Sequence, residues 1–137
     1  MPSGSVLPTL ICNAIEGRPM RWHGTGSRSQ DFVQVDDVAE ACRLAATATN
    51  SGTFNLGSGT GTSMRTLATT IAELVPGAEA GPSGEDDPQE GVSWALDISA
   101  AQAELGYRPE TDLRDGVAAC IAARGASAAE RRWWKDA

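Results

Sequence analysis

Gln30-Asp31-Phe32-Val33-Gln34-Val35-Asp36-Asp37-Val38-Ala39-Glu40-Ala41 carries a short apolar strand straight into a helix that opens on acids. The composition places the strand at residues 31–35. Asp36 or Asp37 is suited to accept the unpaired N–H groups of the first turn of a helix that runs to about residue 49. Just upstream, Gly24-Thr25-Gly26-Ser27 reads as a turn. A strand, an acid-capped helix and a glycine turn in this order form an αβ unit able to build a site.

Working upstream, Val6, Leu7, Leu10, Ile11, Ala14 and Ile15 recur at helical spacing, and Gly17 follows as a stop. They predict a helix over residues 5–16 with Pro8 in its first turn, where proline is tolerated. Met20-Arg21-Trp22 is a candidate short strand. Working downstream, residues 53–56 read as a strand and Gly57-Ser58-Gly59-Thr60-Gly61 as a loop. Thr62 or Ser63 can cap the next helix, whose stripe of Met64, Leu67, Ala68, Ile71, Leu74 and Val75 ends before Pro76-Gly77. Residues 78–90 are rich in Gly, Pro and acids and predict a flexible loop. Residues 92–96 predict a strand, and residues 99–105 a short helix closed by Gly106. A longer helix is expected over residues 113–124.

The 137 residues suit one domain, and 41% hydrophobic with 21% charged residues is an ordinary globular composition. A net charge of -7 argues against nucleic acid, whose affinity rests on neutralising phosphates with Lys and Arg. The ten arginines are scattered and Lys135 is the only lysine; Arg131-Arg132 beside Trp133-Trp134 reads as a solvated helix end rather than an interaction tail. Cys12, Cys42 and Cys120 are odd in number and widely spaced, against a disulfide framework or a zinc pair. Cys42, with Val38 and Ala45, and Cys120, with Val117 and Ile121, are expected to be buried thiols, as suits a reducing cytoplasm. No export signal and no membrane-length apolar run is evident.

The loop Gly57-x-Gly59-x-Gly61 follows a strand and opens a helix, so it reads either as a structural turn or as an anion contact. Its spacing departs from the Gly-x-Gly-x-x-Gly dinucleotide fingerprint, and no lysine is at hand for a Walker loop. The acids Glu85, Asp86, Asp87 and Glu90 read as a solvated loop in preference to a metal site, and His23 has no metal-ligand partner at suitable spacing.

Three stretches together resemble one family. Gly24 to Ser27 with Asp31 to Ala39, then Phe54 to Gly59 and on to Ser63, then Asp97-Ile98-Ser99 to Leu105-Gly106-Tyr107-Arg108-Pro109, are similar in order and spacing to the NAD-dependent epimerase/dehydratase family. This is the extended short-chain dehydrogenase group typified by nucleotide-sugar 4-epimerases. The resemblance covers nearly the whole chain and implies an α/β fold, with helices around a small, mostly parallel set of short strands. It further implies that residues 1–137 are a single C-terminal substrate-binding lobe, and that the N-terminal Rossmann half is absent from this chain.

In that family the Rossmann half supplies the glycine fingerprint and a Tyr-x-x-x-Lys pair that exchanges a proton while hydride moves to and from the nicotinamide. Tyr107 is the only tyrosine here and position 111 is Thr111, so the resemblance implies no catalytic residue in this chain and no cofactor bound by it alone. NAD or NADP is implied for the complete enzyme. The substrate-binding residues it implies are Arg21, Trp22 and His23 on the strand that lines the base, then Arg28, Gln30 and Phe32. Trp22 reads equally as a stacking platform and as a core residue. Gln30 stands where the family often has a phosphate-gripping Arg, and the loop of acids stands where a second one is usual, which would repel a pyrophosphate. The implied partners are an N-terminal Rossmann half or a second copy, and a nucleotide sugar or related small molecule. The alternative is a non-catalytic module, derived from such a lobe, that recognises a small molecule or a protein.

Overall fold

The structure is a computed structural model and describes residues 5–49 and 51–126. The Arg131 to Trp134 tail and Lys135 lie outside the described residues. In chain order the elements are α1 (Val6–Ile15), β1 (Met20–Trp22), β2 (Ser29–Asp31), α2 (Val35–Thr47), β3 (Gly61–Ser63), α3 (Met64–Leu74), β4 (Ala80–Pro82), α4 (Ser99–Leu105) and α5 (Leu113–Ala126). β1 pairs with β4 in parallel, Met20 opposite Ala80, and β2 pairs with β3 antiparallel, Ser29 opposite Ser63. Ser29 also makes a parallel bridge to Ser93. This is the expected α/β arrangement of helices around short strands, one pair parallel and the other antiparallel.

Two apolar clusters hold the elements. In the first, Leu10, Ile11 and Ala14 of α1, Met20 of β1, Leu67, Ala68 and Ile71 of α3 and Val117 of α5 are buried together. The stripe read along residues 64–75 supplies the centre of this cluster, and Ser63 caps α3 by accepting the Thr66 N–H at 3.0 Å. In the second, Ala41 of α2, Ile98 just before α4, Ala101 and Leu105 of α4 and Tyr107 pack together, with Leu44, Ala48, Phe54 and Leu56 at its margin. Gly106, at φ 71°, ends α4 in the left-handed conformation that suits glycine.

The structure corrects several local expectations. The strand of the opening stretch lies at Ser29–Asp31, because the ladder to β3 and the bridge to Ser93 fall there, and residues 32–34 are irregular. The cap of α2 is Gln34, whose side chain accepts the Val35 N–H, while Asp36 and Asp37 sit in the first turn and α2 stops at Thr47. Asp37 is buried and turned elsewhere: its carboxylate accepts the N–H groups of Glu110 and Thr111 at 3.0 and 3.2 Å.

Residues 53–56 form no strand. Phe54 and Leu56 alternate inward against the second cluster, but their backbone finds no ladder partner among the described residues. Residues 92–96 make only the Ser93 bridge, and residues 78–90 contain β4. Cys42 is exposed and Cys120 half-buried, whereas Cys12 is buried. The buried face of α2 runs through Asp37 and Ala41, with Leu44 and Ala48 beside it, so position 42 points away from the cluster.

Candidate functional site

Two structures meet beside β1: the turn of residues 24–27 and the acid-bearing segment of residues 83–91. Met20 of β1 is fully buried, Arg21 is exposed and Trp22 is half-buried, the alternation of a strand with one face on the core. The chain then turns through Gly24 and Gly26, at φ 53° and 73°. Side chains are excluded there on two grounds. The left-handed backbone favours glycine, and a Cβ on Gly24 would collide with the Glu90 carboxylate, while one on Gly26 would lie 2.7 Å from Trp22 Cδ1.

The segment after β4 folds back onto this turn. The Gly24 N–H donates to the Glu85 carbonyl at 2.8 Å, and the Ser83 N–H to the Trp22 carbonyl at 2.8 Å. His23 Nδ1 lies 3.1 Å from Ser83 Oγ and 3.4 Å from a Glu85 carboxylate oxygen. Arg28 Nη1 donates to Gln89 Oε1 at 2.7 Å, and Arg28 Nε lies 3.3 Å from Asp87 Oδ2. The Thr25 N–H, the Thr25 hydroxyl and the Ser27 hydroxyl all donate to Glu90. Those bonds, from Ser27 first and then Thr25, hold the Glu90 carboxyl below the usual carboxylate range. The segment read as a flexible acidic loop is thus fastened at five of its side chains, Ser83, Glu85, Asp87, Gln89 and Glu90. Beside it lies an open cleft of about 510 Å³ lined by Gly24, Thr25, Pro82, Gly84 and the acids Glu85, Asp86, Asp87 and Glu90. Among the described residues, no three His, Cys, Asp or Glu side chains converge as a metal site.

Of the six residues singled out from sequence, Arg21, Trp22, His23 and Arg28 gather at this turn. Arg21 lies over Gly81 of β4. Trp22 packs against the first cluster and carries the Arg65 guanidinium 6.0 Å above its ring. Gln30 and Phe32 lie elsewhere. Gln30 is exposed on β2 opposite Thr62, and Phe32 lines a crevice of about 60 Å³ with Leu7, Leu113, Val117 and Cys120. Thr25, Ser27 and Glu90 were not singled out as binding residues. The only local signal was a pair of hydroxyl side chains set in the Gly24-x-Gly26 turn, and Glu90 is 63 residues or more away from both in sequence.

The second centre is Asp31, the first acid of the opening stretch. Its carboxylate accepts the Ser58 N–H at 2.8 Å, the Ser58 hydroxyl at 2.6 Å, the Gly59 N–H at 3.0 Å and the Leu96 N–H at 3.1 Å. Partial burial pushes this carboxyl up, but the Ser58 hydroxyl and the three N–H groups outweigh it and leave the pKa below its ordinary value. The glycine loop does hold an anion, and that anion is the chain's own. With the Ser58 and Gly59 donors taken by Asp31, the loop is a poor fit for a dinucleotide pyrophosphate. Tyr107 is fully buried and donates to the Gly57 carbonyl at 2.8 Å; burial, then the Asp37 and Asp31 charges, raise its pKa. A phenol so placed stays protonated and structural.

Comparison with known proteins places these features. Residues 2–57 match the family model described as NAD dependent epimerase/dehydratase family. UDP-glucuronic acid decarboxylase 1 of Arabidopsis thaliana is 30% identical over 120 residues, which is 85% of this chain and 27% of that protein. UDP-glucose 4-epimerase of Mycolicibacterium smegmatis is 35% identical over 109 residues, 78% of this chain and 34% of that one. The Bordetella bronchiseptica enzyme WbmF, solved in complex with NADH, superposes with a TM-score of 0.80 at 28% identity, covering 91% of this chain and 38% of its own. WbmF has also been solved in complex with NAD+ and UDP. The chain therefore spans about a third of the length of these relatives.

Proposed function

Because the chain belongs to the NAD-dependent epimerase/dehydratase family of sugar-nucleotide enzymes, we propose that it is the C-terminal, substrate-gripping part of such an enzyme. In this reading a Rossmann half outside residues 1–137 supplies NAD or NADP and the Tyr-Lys pair, and these residues are inert without it. The observation that carries the reading is the WbmF superposition: 91% of this chain lies on 38% of an enzyme seen with NAD+ and UDP. Two features of the chain support it. Its only tyrosine spends its hydroxyl on Gly57, and its glycine loop spends its donors on Asp31.

The Rossmann half docks, in this proposal, beside β2 and the start of α2. Trp94 and Leu96 beside β2 are 65% and 40% exposed and Val35 at the start of α2 is 69% exposed, apolar side chains that a covering domain would bury. The enzyme works in the cytoplasm, in keeping with three unpaired cysteines. No helix of the described residues is long and apolar enough to cross a membrane.

Calorimetry with UDP-glucose and with NAD tests the proposal. The expected outcome is measurable UDP-glucose binding, no NAD binding and no turnover by the chain alone. Turnover of the sugar nucleotide by the purified chain with NAD would refute the division of labour. Absence of UDP-glucose binding together with self-association through the Trp94 surface would support the interaction module instead.

A further inference from the structure

The turn of residues 24–27 is already filled, by an anion on the same chain. Three donors that would suit a phosphate oxygen, the Thr25 N–H and the Thr25 and Ser27 hydroxyls, converge on the Glu90 carboxylate. Two cations flank the turn: Arg65, whose guanidinium donates to the Thr25 carbonyl, and Arg28, which is engaged by Gln89 and Asp87. The engagement of Arg28 is incomplete. Arg28 Nε is buried without a hydrogen-bond acceptor, because Asp87 stands near it as a charge but not in bonding geometry. A guanidinium with an unused buried donor favours an acceptor that can reach it, as a phosphate does in a two-pronged pair.

Two glycines bound the segment that fills the turn. Gly84 and Gly91 bracket it, at φ 82° and 79°, and a Cβ on either would meet nothing within 4 Å. Both glycines face open space on the side a Cβ would occupy, while their neighbours Ser83 and Val92 are tied to Trp22 and Ser29. Between them, Glu85, Asp87, Gln89 and Glu90 face the turn and make the contacts already described. Most of those contacts are exposed to water, where each holds weakly. Asp87 is the exception, with its side chain 5% exposed beside Arg28, and it regains water on opening.

Resting on the substrate reading above, we propose that residues 85–90 are a strap that occupies the substrate-binding turn in place of a ligand. A nucleoside diphosphate opens it by replacing Glu90 on Thr25 and Ser27, and Asp87 on Arg28. Affinity for such a ligand is then lowered by the fraction of chains whose strap is closed.

UDP is the probe. Binding is measured by calorimetry for the native chain and for the chain carrying Glu90→Gln and Asp87→Asn, which keep side-chain size while removing two charges from the strap. The variant is expected to bind UDP at least about ten-fold more tightly, as the closed fraction falls. Amide exchange followed by NMR on the native chain gives the second readout and requires no variant to fold. Saturating UDP is expected to speed exchange at the Gly24 N–H, which the closed strap protects through the Glu85 carbonyl. If UDP binds and the Gly24 amide keeps its protection, with equal affinity in both chains, the strap is refuted and the substrate reading stands. If neither chain binds UDP, both fail.

Discussion

Replacing Asp31 by Asn should cost this fold about 3 kcal/mol. Asp31 Oδ1 accepts from the N–H and the hydroxyl of Ser58, and Oδ2 accepts from the N–H groups of Gly59 and Leu96. An asparagine keeps one oxygen, so an NH2 group faces two donors that have lost their acceptor, either the N–H and hydroxyl of Ser58 or the N–H groups of Gly59 and Leu96. Leaving a donor unsatisfied costs roughly 1–3 kcal/mol, and the site is only half-buried, so the low end applies and the pair loses about 2 kcal/mol. The other pair loses the strengthening that a charged acceptor gives, about 0.5 kcal/mol for each bond. Urea unfolding of both chains measures the difference. With a slope of about 2 kcal/mol per molar, the midpoint should fall by roughly 1.5 M, and Tm by about 10 °C. A double-mutant cycle with Ser58→Ala should return a coupling of at least about 0.5 kcal/mol, since the two side chains touch. A D31N chain within about 0.5 kcal/mol of the native one, or a cycle with no coupling, would sink the argument that this carboxylate ties β2 to the glycine loop and to the segment after Ser93.

The same carboxylate sets a pH dependence. Its pKa is lowered in the folded chain, so its stabilisation is fully present above the unfolded carboxyl pKa and is lost as pH falls through the folded value. Urea midpoints taken from pH 7 down to pH 3 should therefore drop more steeply for the native chain than for D31N, and parallel curves would contradict the assignment. Tyr107→Phe should destabilise by about 1–2 kcal/mol, because it leaves the Gly57 carbonyl buried without a donor. Its UDP affinity should match that of the native chain, and a loss of binding with stability intact would mean that Tyr107 serves the ligand.

The helices were readable from the chain because their signals are local. The Leu67, Ala68, Ile71 stripe, the Ser63 cap and the Gly106 stop all act within one or two turns, and each does in the structure what its spacing implies. The order of the glycine turn, the Asp-Phe-Val-Gln-Val-Asp-Asp-Val stretch and the Tyr107 turn likewise carried the family. What the acids in that stretch do could not be read locally. Asp31 reaches donors 27 to 65 residues away and Asp37 reaches donors 73 and 74 residues away. Local spacing offered Asp37 a cap at the start of its own helix, and the fold gave it a larger role as acceptor for the chain that follows Tyr107.

The same division holds for the strands, the buried face of α2 and the site. A three-residue strand is defined by its partner, so β2 settled at Ser29–Asp31, where β3 and Ser93 could pair with it, and residues 53–56 stayed unpaired despite a strand-like composition. On α2 two stripes competed, and packing against α4 chose Ala41 and Leu44, with Asp37 held by the backbone of residues 110 and 111, leaving Cys42 in water. Sequence alone determined the helices, the α/β class and the kinship, because periodicity and motif order are written in neighbouring residues. Tertiary structure decided which carboxylate meets which donor, and so closed the turn at residues 24–27 with Glu90, because hydrogen-bond partners far apart in the chain are chosen only when the backbone has folded.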